Sequence, residues 1–161
     1  MQPLEDIDKW YEIADPWQYK NNPDDLHRRQ RILQILPDHY QRAIDIGGGE
    51  GWISKDLPAD SIEVYEVSQN ALKRLPEGIL GVTEATGKYD LVIATGVLYK
   101  HYHYQDFLNI IKNHATKTIL IAGIKDWLVD TTELGSLVYE EEFPYRGYTQ
   151  IIKIYDISPI A

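Results

Sequence analysis

The sequence predicts an α/β domain built on a mostly parallel, doubly wound sheet. The first observation is a short apolar run, Ala43–Ile46, that leads directly into glycines at 47, 48, 49 and 51. A buried parallel strand that turns this sharply needs glycine, because some positions take a positive φ and the backbone must come close to a ligand. The second observation is another strand-like run, Ile62–Val67, which carries an acid, Glu66, about 20 residues after Asp45.

Local patterns predict the remaining elements in chain order. Asn22 before Pro23 and two acids starts a helix, because Asn caps free N–H groups, Pro fits the first turn and acids favour the positive end of the dipole. That helix should end near Leu36, with an apolar stripe of Leu26, Ile32, Leu33 and Leu36 and a solvated face of Arg28, Arg29 and Arg31. We expect strands at 42–46, 62–67, 79–82, 89–94, 118–124, 137–143 and 149–158, and further helices at 52–57, 69–75 and 105–114.

Composition limits the class of protein. A chain of 161 residues fits one domain, 1–161, in which an aromatic-rich segment, 1–22, would cover a core, 23–161, as a lid or by packing. A net charge of −9 argues against a nucleic-acid partner, and zero cysteines exclude disulfides, thiolate metal sites and a cysteine nucleophile. Without a signal peptide or a long apolar run, a soluble, cytoplasmic protein with no membrane contact is expected.

The spacing of the glycines separates the nucleotide-binding families. Asp45 and the glycines form Asp-x-Gly-x-Gly-x-Gly, whereas the dinucleotide fingerprint would need a third glycine where Trp52 stands. A Walker loop would need a following Gly-Lys-Ser/Thr, which is missing. The stretch resembles motif I of the class I S-adenosylmethionine (SAM)-dependent methyltransferases. That resemblance implies a Rossmann-like, seven-stranded sheet that ends in an antiparallel hairpin, here in a compact version with shortened late helices.

The resemblance also implies a cofactor, SAM, with S-adenosylhomocysteine as its product. Glu66 would hold the ribose hydroxyls and Val67 would pack on the adenine. Asp45 would orient the amino end of SAM, and the glycine turn would pack against its methionine part. Glu84, in an unusually short loop, would contact the adenine, and Thr95 is the candidate at the end of the fourth strand. The remaining candidates form the glycine turn: Gly47, Gly48, Gly49 and Gly51.

The run from Tyr99 to Tyr104 is the candidate catalytic segment, because imidazoles titrate near neutral pH and phenols can orient or stack on an acceptor. His101 is the first candidate for a general base, then His103, with Tyr99 beside them. Each histidine could instead cap the next helix or bond to backbone. Two histidines with no third ligand nearby do not predict a metal site.

Several features bear on the methyl acceptor. The step Asp15-Pro16-Trp17, followed by Tyr19, resembles the lead-in of nodulation-type N-methyltransferases, whose N-terminal region helps to close the cleft. The motifs of nucleobase amino and ribose 2′-O methyltransferases are missing after the fourth strand. We therefore expect a small-molecule acceptor with an amino or hydroxyl group, a sugar or saccharide being favoured. The candidate substrate-binding residues are Trp17, Tyr19, Tyr102 and Tyr104.

Three alternatives stay open at this point. The chain could be an inactive SAM-binding regulatory protein, whose cleft a homodimer or a protein partner would cover. An RNA or nucleoside methyltransferase would need a basic surface that the composition does not indicate. An NAD-type dehydrogenase on the same topology is disfavoured by the glycine spacing.

Overall fold

The computed structural model describes residues 4–157, with side chains from residue 7 onward. Predictions that fall on 1–3 and 158–161, including the last residue of the predicted final strand, lie outside this range. The helices are α1 Leu4–Trp10, α2 Pro23–Ile35, α3 Gln69–Leu72 and α4 Gln105–His114. The strands are β1 Tyr40–Ile46, β2 Ala59–Tyr65, β3 Ile79–Val82, β4 Tyr89–Thr95, β5 Ala115–Ile124, β6 Ser136–Tyr145 and β7 Tyr148–Asp156.

The seven strands form one sheet in the order β3-β2-β1-β4-β5-β7-β6. The first five in this order are parallel, and β7 is antiparallel to both β5 and β6. This confirms the predicted doubly wound, compact Rossmann-like sheet with its C-terminal hairpin. The strand order reverses between β1 and β4, and ligands of open α/β sheets bind at such a point, beyond the carboxyl ends of the strands.

Alternation along the parallel strands gives the sheet two apolar faces. Ile44 and Ile46 of β1 face α4, whereas Ala43 faces α2. Both faces are buried because helices or turns cover them, as expected for parallel strands with near-continuous apolar sequence. The strand residues of the α4 face include Val92, Ala94, Ile119 and Ile121, and those of the α2 face include Leu91, Ile93, Leu120 and Ala122.

Helix α2 confirms the predicted start and changes the predicted face. The Asn22 side chain accepts hydrogen bonds from the N–H groups of Asp24 and Asp25, as a cap should. However, Leu26 is 46% exposed, so it is not part of the buried stripe. Arg28 is only 7% exposed, so the prediction of a solvated arginine face is wrong at this position. The buried face instead follows the spacing of Asp25, Arg28 and Ile32.

The connections that follow β1, β2 and β5 contain less helix than the sequence predicts or than a full-length connection would hold. The helix expected at 52–57 is a single 3₁₀ turn, Ser54–Asp56, because Pro58 and the glycine loop leave too few residues for an α-helix. Helix α3 ends at Leu72 instead of Leu75. Between β5 and β6 the chain forms only two 3₁₀ turns, Lys125–Trp127 and Thr132–Leu134, which confirms the shortened late helices.

The β6–β7 hairpin turns through Arg146 and Gly147, both with positive φ (47° and 82°). Two consecutive residues of this kind form the tight turn whose twist matches antiparallel strands. The turn brings β7 back beside β5, where Gln150 pairs in register with Ile124. No helix within residues 4–157 has both the length and the apolar character needed to cross a bilayer.

Candidate active site

The glycine loop after β1 is held close to two side chains. Gly47 and Gly49 both have positive φ, at 70° and 59°. A Cβ at Gly47 would lie 2.5 Å from the Val97 side chain, and one at Gly49 would lie 2.6 Å from the Tyr11 hydroxyl oxygen. Conformation and space therefore both require glycine at these positions. Tyr11 in turn lies against the loop with only 7% of its surface exposed.

Glu66 fixes this loop against the end of β2. Its Oε1 accepts the N–H of Gly49 at 3.0 Å, and its Oε2 accepts the N–H groups of Val67 at 2.7 Å and Ser68 at 3.0 Å. Burial raises the pKa of this carboxyl, and the three backbone N–H groups oppose that shift because they stabilise the ionised form. Glu66 is 6% exposed and lines the cavity described below.

Asp45, the acid before the glycines, lies on the α2 face of β1. Its Oδ2 accepts a hydrogen bond from the Ser54 hydroxyl at 2.6 Å, whereas its Oδ1 has no hydrogen-bond partner. Burial is the main cause that raises the pKa of Asp45 to about 7, and the Ser54 hydrogen bond partly offsets it. The residue is 1% exposed, so its free oxygen can be satisfied only by a group that enters the site.

A large and a small cavity open at the carboxyl ends of β1, β2, β4 and β5. The large cavity has a volume of about 390 Å³ and the small one about 60 Å³. The predicted site residues that line the large cavity are Trp17, Tyr19, Gly47, Glu66, Val67, Thr95, Tyr99 and Tyr102. Those that line the small cavity are Tyr19, Asp45, Gly47, Gly48, Gly49 and Thr95.

Other predicted site residues lie away from both cavities. Gly51 has a φ of 84°, and a Cβ there would meet Leu75 and Pro76 at 3.1 Å, so it serves the packing of the loop on the segment after α3. Glu84 is exposed in the loop after β3. Tyr104 stands at the N-terminal boundary of α4 and packs against the core of that face.

The segment after β4 directs a tyrosine inward and two histidines outward. Tyr99 is 6% exposed, and its hydroxyl accepts the N–H of Ile124 at 2.9 Å. Burial raises the pKa of Tyr99 to about 12, although the Ile124 N–H opposes the shift. His101 is exposed and stacks on the Tyr99 ring at 5.7 Å between centroids, with the Trp127 ring edge-on at 5.4 Å. His103 is also exposed.

Sequence reasoning missed a buried charged cluster beside both cavities. Asp25 is fully buried and is shared by Arg28, whose Nη2 lies 3.6 Å from its Oδ1, and by Arg146, which forms an ion pair with its Oδ2. The Arg28 guanidinium also lies over the rings of Tyr19 and Tyr145. The cluster of Asp25, Arg28 and Arg146 has a formal charge of +1. Helical spacing of Asp25 and Arg28 with Ile32 was the signal that could have revealed it.

Trp127 and Gln150 are further lining residues that the sequence did not indicate. They come from the 3₁₀ turn after β5 and from strand β7, and no local motif marks them, because strand order alone brings these segments together. Tyr11, in the loop after α1, and Trp52, directly after the glycines, also line a cavity, and both lie in stretches that the sequence analysis singled out.

Comparisons with known proteins identify the fold. No protein-family model matches the chain, and no curated protein matches it in sequence. Among solved structures, it is similar to the magnesium protoporphyrin IX methyltransferase of Synechocystis PCC 6803 with bound SAM, at 13% identity and a TM-score of 0.65, over 98% of both chains. The same protein with bound S-adenosylhomocysteine gives a TM-score of 0.67 at 13% identity, over 96% of this chain and 99% of that one.

A further similar chain comes from the complex between the Haloferax volcanii Trm112 methyltransferase activator and a protein assigned as a methyltransferase. It is 10% identical, with a TM-score of 0.68 over 98% of both chains. At these identities the likeness shows the fold alone, which the chain shares with these methyltransferase structures.

Proposed function

We propose that this chain is a SAM-dependent methyltransferase that acts on an amino or hydroxyl group of a small molecule. The fold neighbour solved with SAM and with S-adenosylhomocysteine supports the choice of cofactor. The observation that carries the proposal is the set of unsatisfied polar atoms on residues that line the small cavity, next to the glycine loop.

Four buried side-chain N or O atoms in the described part of the chain have no hydrogen-bond partner. Three belong to residues that line the small cavity, namely Arg28 Nε, Asp45 Oδ1 and Trp52 Nε1. They comprise one acceptor on an acid and two donors, one of them on a cation. This set complements an α-amino acid zwitterion, whose ammonium would pair with Asp45 and whose carboxylate would pair with Arg28 and Trp52.

The nucleoside of the cofactor would then extend into the large cavity. Glu66 has about four lone-pair sites, of which backbone N–H groups use three, so Oε1 can still accept a ribose hydroxyl. Val67, next in sequence, would cover the adenine. Because Glu84 is exposed and lines neither cavity, we propose that backbone groups, and not this carboxylate, contact the adenine amino group.

When bound, SAM would supply the methyl group from its sulfonium, with S-adenosylhomocysteine as the leaving group, and the acceptor would lose one proton to solvent as its N or O atom forms the new bond. The chain's own contribution is to hold the acceptor in line with that methyl group and to exclude water. Tyr99 would act as a hydrogen-bond donor, because a pKa near 12 keeps its hydroxyl protonated at neutral pH. His101, which stacks behind Tyr99, would position that ring.

Calorimetric titration with SAM, S-adenosylhomocysteine and NADH tests the cofactor. We expect micromolar binding of the first two and none of NADH. The matched ligand 5′-methylthioadenosine keeps the nucleoside and sulfur but lacks the amino acid, so it should bind at least tenfold more weakly. Equal affinity for it and S-adenosylhomocysteine would contradict the zwitterion site, and NADH binding would restore the dehydrogenase alternative.

The acceptor is tested by incubating the protein and methyl-labelled SAM with a panel of amines, phenols and amino sugars. The cavity volume of about 390 Å³ and the net charge of −9 support a small molecule over RNA. The nodulation-type lead-in would make the acceptor an amino sugar. Cofactor binding without transfer to any compound would support the inactive or partner-dependent alternative, for which the neighbour with a Trm112 activator is a precedent.

A further inference from the structure

The part of the large cavity on the β5–β7 side of the sheet has its own chemistry, and Glu66 lies on the other side, at the end of β2. Its wall, which we call the acceptor end, consists of Tyr99, Ile124, Trp127, Tyr148 and Gln150. The Trp127 ring lies edge-on to Tyr99 at 5.5 Å between centroids and at 4.9 Å from the Tyr148 ring. With Trp127 in contact with both tyrosines, the three rings form an apolar wall of the cavity, which favours flat ring compounds because they bury both area and π-face.

One polar side chain interrupts this surface. Gln150 is 1% exposed, and its Oε1 is the fourth buried atom without a hydrogen-bond partner in the described residues. Its register partner across the β5–β7 pair is Ile124, and side chains of directly opposed residues project from the same face of a sheet. Gln150 lines the cavity while its oxygen is buried, and rotation of the terminal amide, which exchanges oxygen and nitrogen, would turn the oxygen towards a bound ligand.

Two of the other polar side chains that line the large cavity are engaged with the buried Asp25. The Tyr145 hydroxyl donates to Asp25, and the Arg146 guanidinium contacts Asp25 and the Trp17 carbonyl. The Tyr99 hydroxyl already accepts from Ile124, so what it can still offer is its own proton. At the aromatic surface of the acceptor end, a saccharide, with a hydroxyl on nearly every carbon, would lose more bound water than a flat ring compound would.

We propose that the acceptor is a flat aromatic or heteroaromatic compound that carries an O–H or N–H group, and that Gln150 recognises this group through its amide oxygen. Tyr99 donates to an adjacent acceptor atom of the same compound. This inference rests on the proposed function for the identity of the neighbouring site. Gln150 is then a specificity-determining residue. Without a ligand its buried oxygen has no hydrogen-bond partner, which lowers the stability of the folded protein.

A pair of matched probes tests the inference: 2-naphthol and 2-methoxynaphthalene share one ring system, and in the second a methyl group replaces the hydroxyl proton. Ligand-observed NMR titrations, with S-adenosylhomocysteine saturating, should show that wild-type protein prefers 2-naphthol by about tenfold. Gln150→Leu should abolish that preference by weakening 2-naphthol alone. The control, Gln41→Leu, changes an exposed glutamine on β1 and should preserve it.

Two further measurements keep every outcome informative. Gln150→Leu should retain the melting temperature or raise it, since it removes an unsatisfied polar atom; a drop of more than about 5 °C would show that the amide has a structural partner and would overturn the inference. S-adenosylhomocysteine should bind both variants like the wild type. If it binds none of them while the naphthol preference persists, the proposed function fails and the ring site stands. Equal binding of the two naphthalenes by wild-type protein, or displacement of 2-naphthol by chitobiose, would overturn the ring proposal.

Discussion

The proposed cofactor end of the cavity, around Gly47, Gly49 and Glu66, takes its shape from the backbone, whereas the acceptor end takes its shape from side chains. At the cofactor end, positive φ angles and three N–H bonds to one carboxylate define the surface. At the acceptor end, Tyr99, Trp127 and Tyr148 define it by ring contacts. A binding surface formed by the backbone allows few residue types at its positions. A surface formed by side chains can acquire a different ligand specificity through substitutions, while the fold stays the same.

Among the substitutions at the cofactor end, Glu66→Gln should reduce ligand affinity most. The amide nitrogen would face the N–H groups that the carboxylate now accepts, and a charged acceptor for the ribose would be lost. We expect S-adenosylhomocysteine affinity to fall by about a hundredfold, measured by calorimetry. Glu84→Gln is the matched control and should bind like wild type. The reverse result, with Glu84→Gln the weaker binder, would show that the acid predicted for the adenine matters more.

Arg28→Leu should weaken the same ligand by about tenfold through the loss of a buried charge-assisted contact. The affinity for 5′-methylthioadenosine, which has no carboxylate, should not change. Comparison of the two ligands on one variant separates loss of the contact from general damage to the fold. Equal weakening of both ligands would instead assign Arg28 a structural role with Asp25 and Tyr145.

Asp45 should make both stability and binding depend on pH. Its folded pKa of about 7 lies above the ordinary 3.8, so its contribution to the free energy of unfolding is fully present below pH 3.8 and is lost as the pH rises towards 7. Asp45→Asn should therefore gain melting temperature relative to wild type between pH 5 and pH 8, by about 5 °C. Asp56→Asn, at an exposed site, is the control and should show no such trend.

The same carboxyl should release a proton when an ammonium ligand binds near pH 7, because the cation favours the ionised form. Calorimetry of S-adenosylhomocysteine in two buffers of different ionisation enthalpy measures this release. It should be present in wild type and missing in Asp45→Asn. Proton uptake in place of release would mean that the ammonium does not approach Asp45.

The smallest expected effect concerns His101, on the outer side of the acceptor end. His101→Gln should lower the methyl-transfer rate to an acceptor identified by the panel by less than about tenfold, because the ring supports Tyr99 from outside the cavity lining. S-adenosylhomocysteine affinity should not change. A loss of a hundredfold or more, the size that a general base supplies, would restore the catalytic role predicted from the sequence.

The parts predicted well from sequence are those whose signal is local. β3 and α4 begin and end where their patterns predicted, at Ile79–Val82 and Gln105–His114, and Asn22 caps α2 as its residue type requires. The helix expected at 52–57 failed because a local pattern competes there with the geometry of a short loop closed by Pro58. Arg28 was misassigned because a charged residue on a helix is ordinarily solvated, and only burial against Tyr19 and Tyr145 reverses that expectation.

The sequence by itself determined the sheet, its glycine loop and the two acids at the ends of β1 and β2. Backbone conformation and strand periodicity depend on residues that are close in sequence, so a local pattern is enough to predict them. Only the tertiary structure decided which side chains meet in the cavity. Arg28, Trp127 and Gln150 lie on a helix, a turn and a late strand, and the order β1-β4-β5-β7 brings them to one edge. Their roles depend on burial and on unmatched hydrogen bonds, which are properties of the assembled fold and not of any one segment.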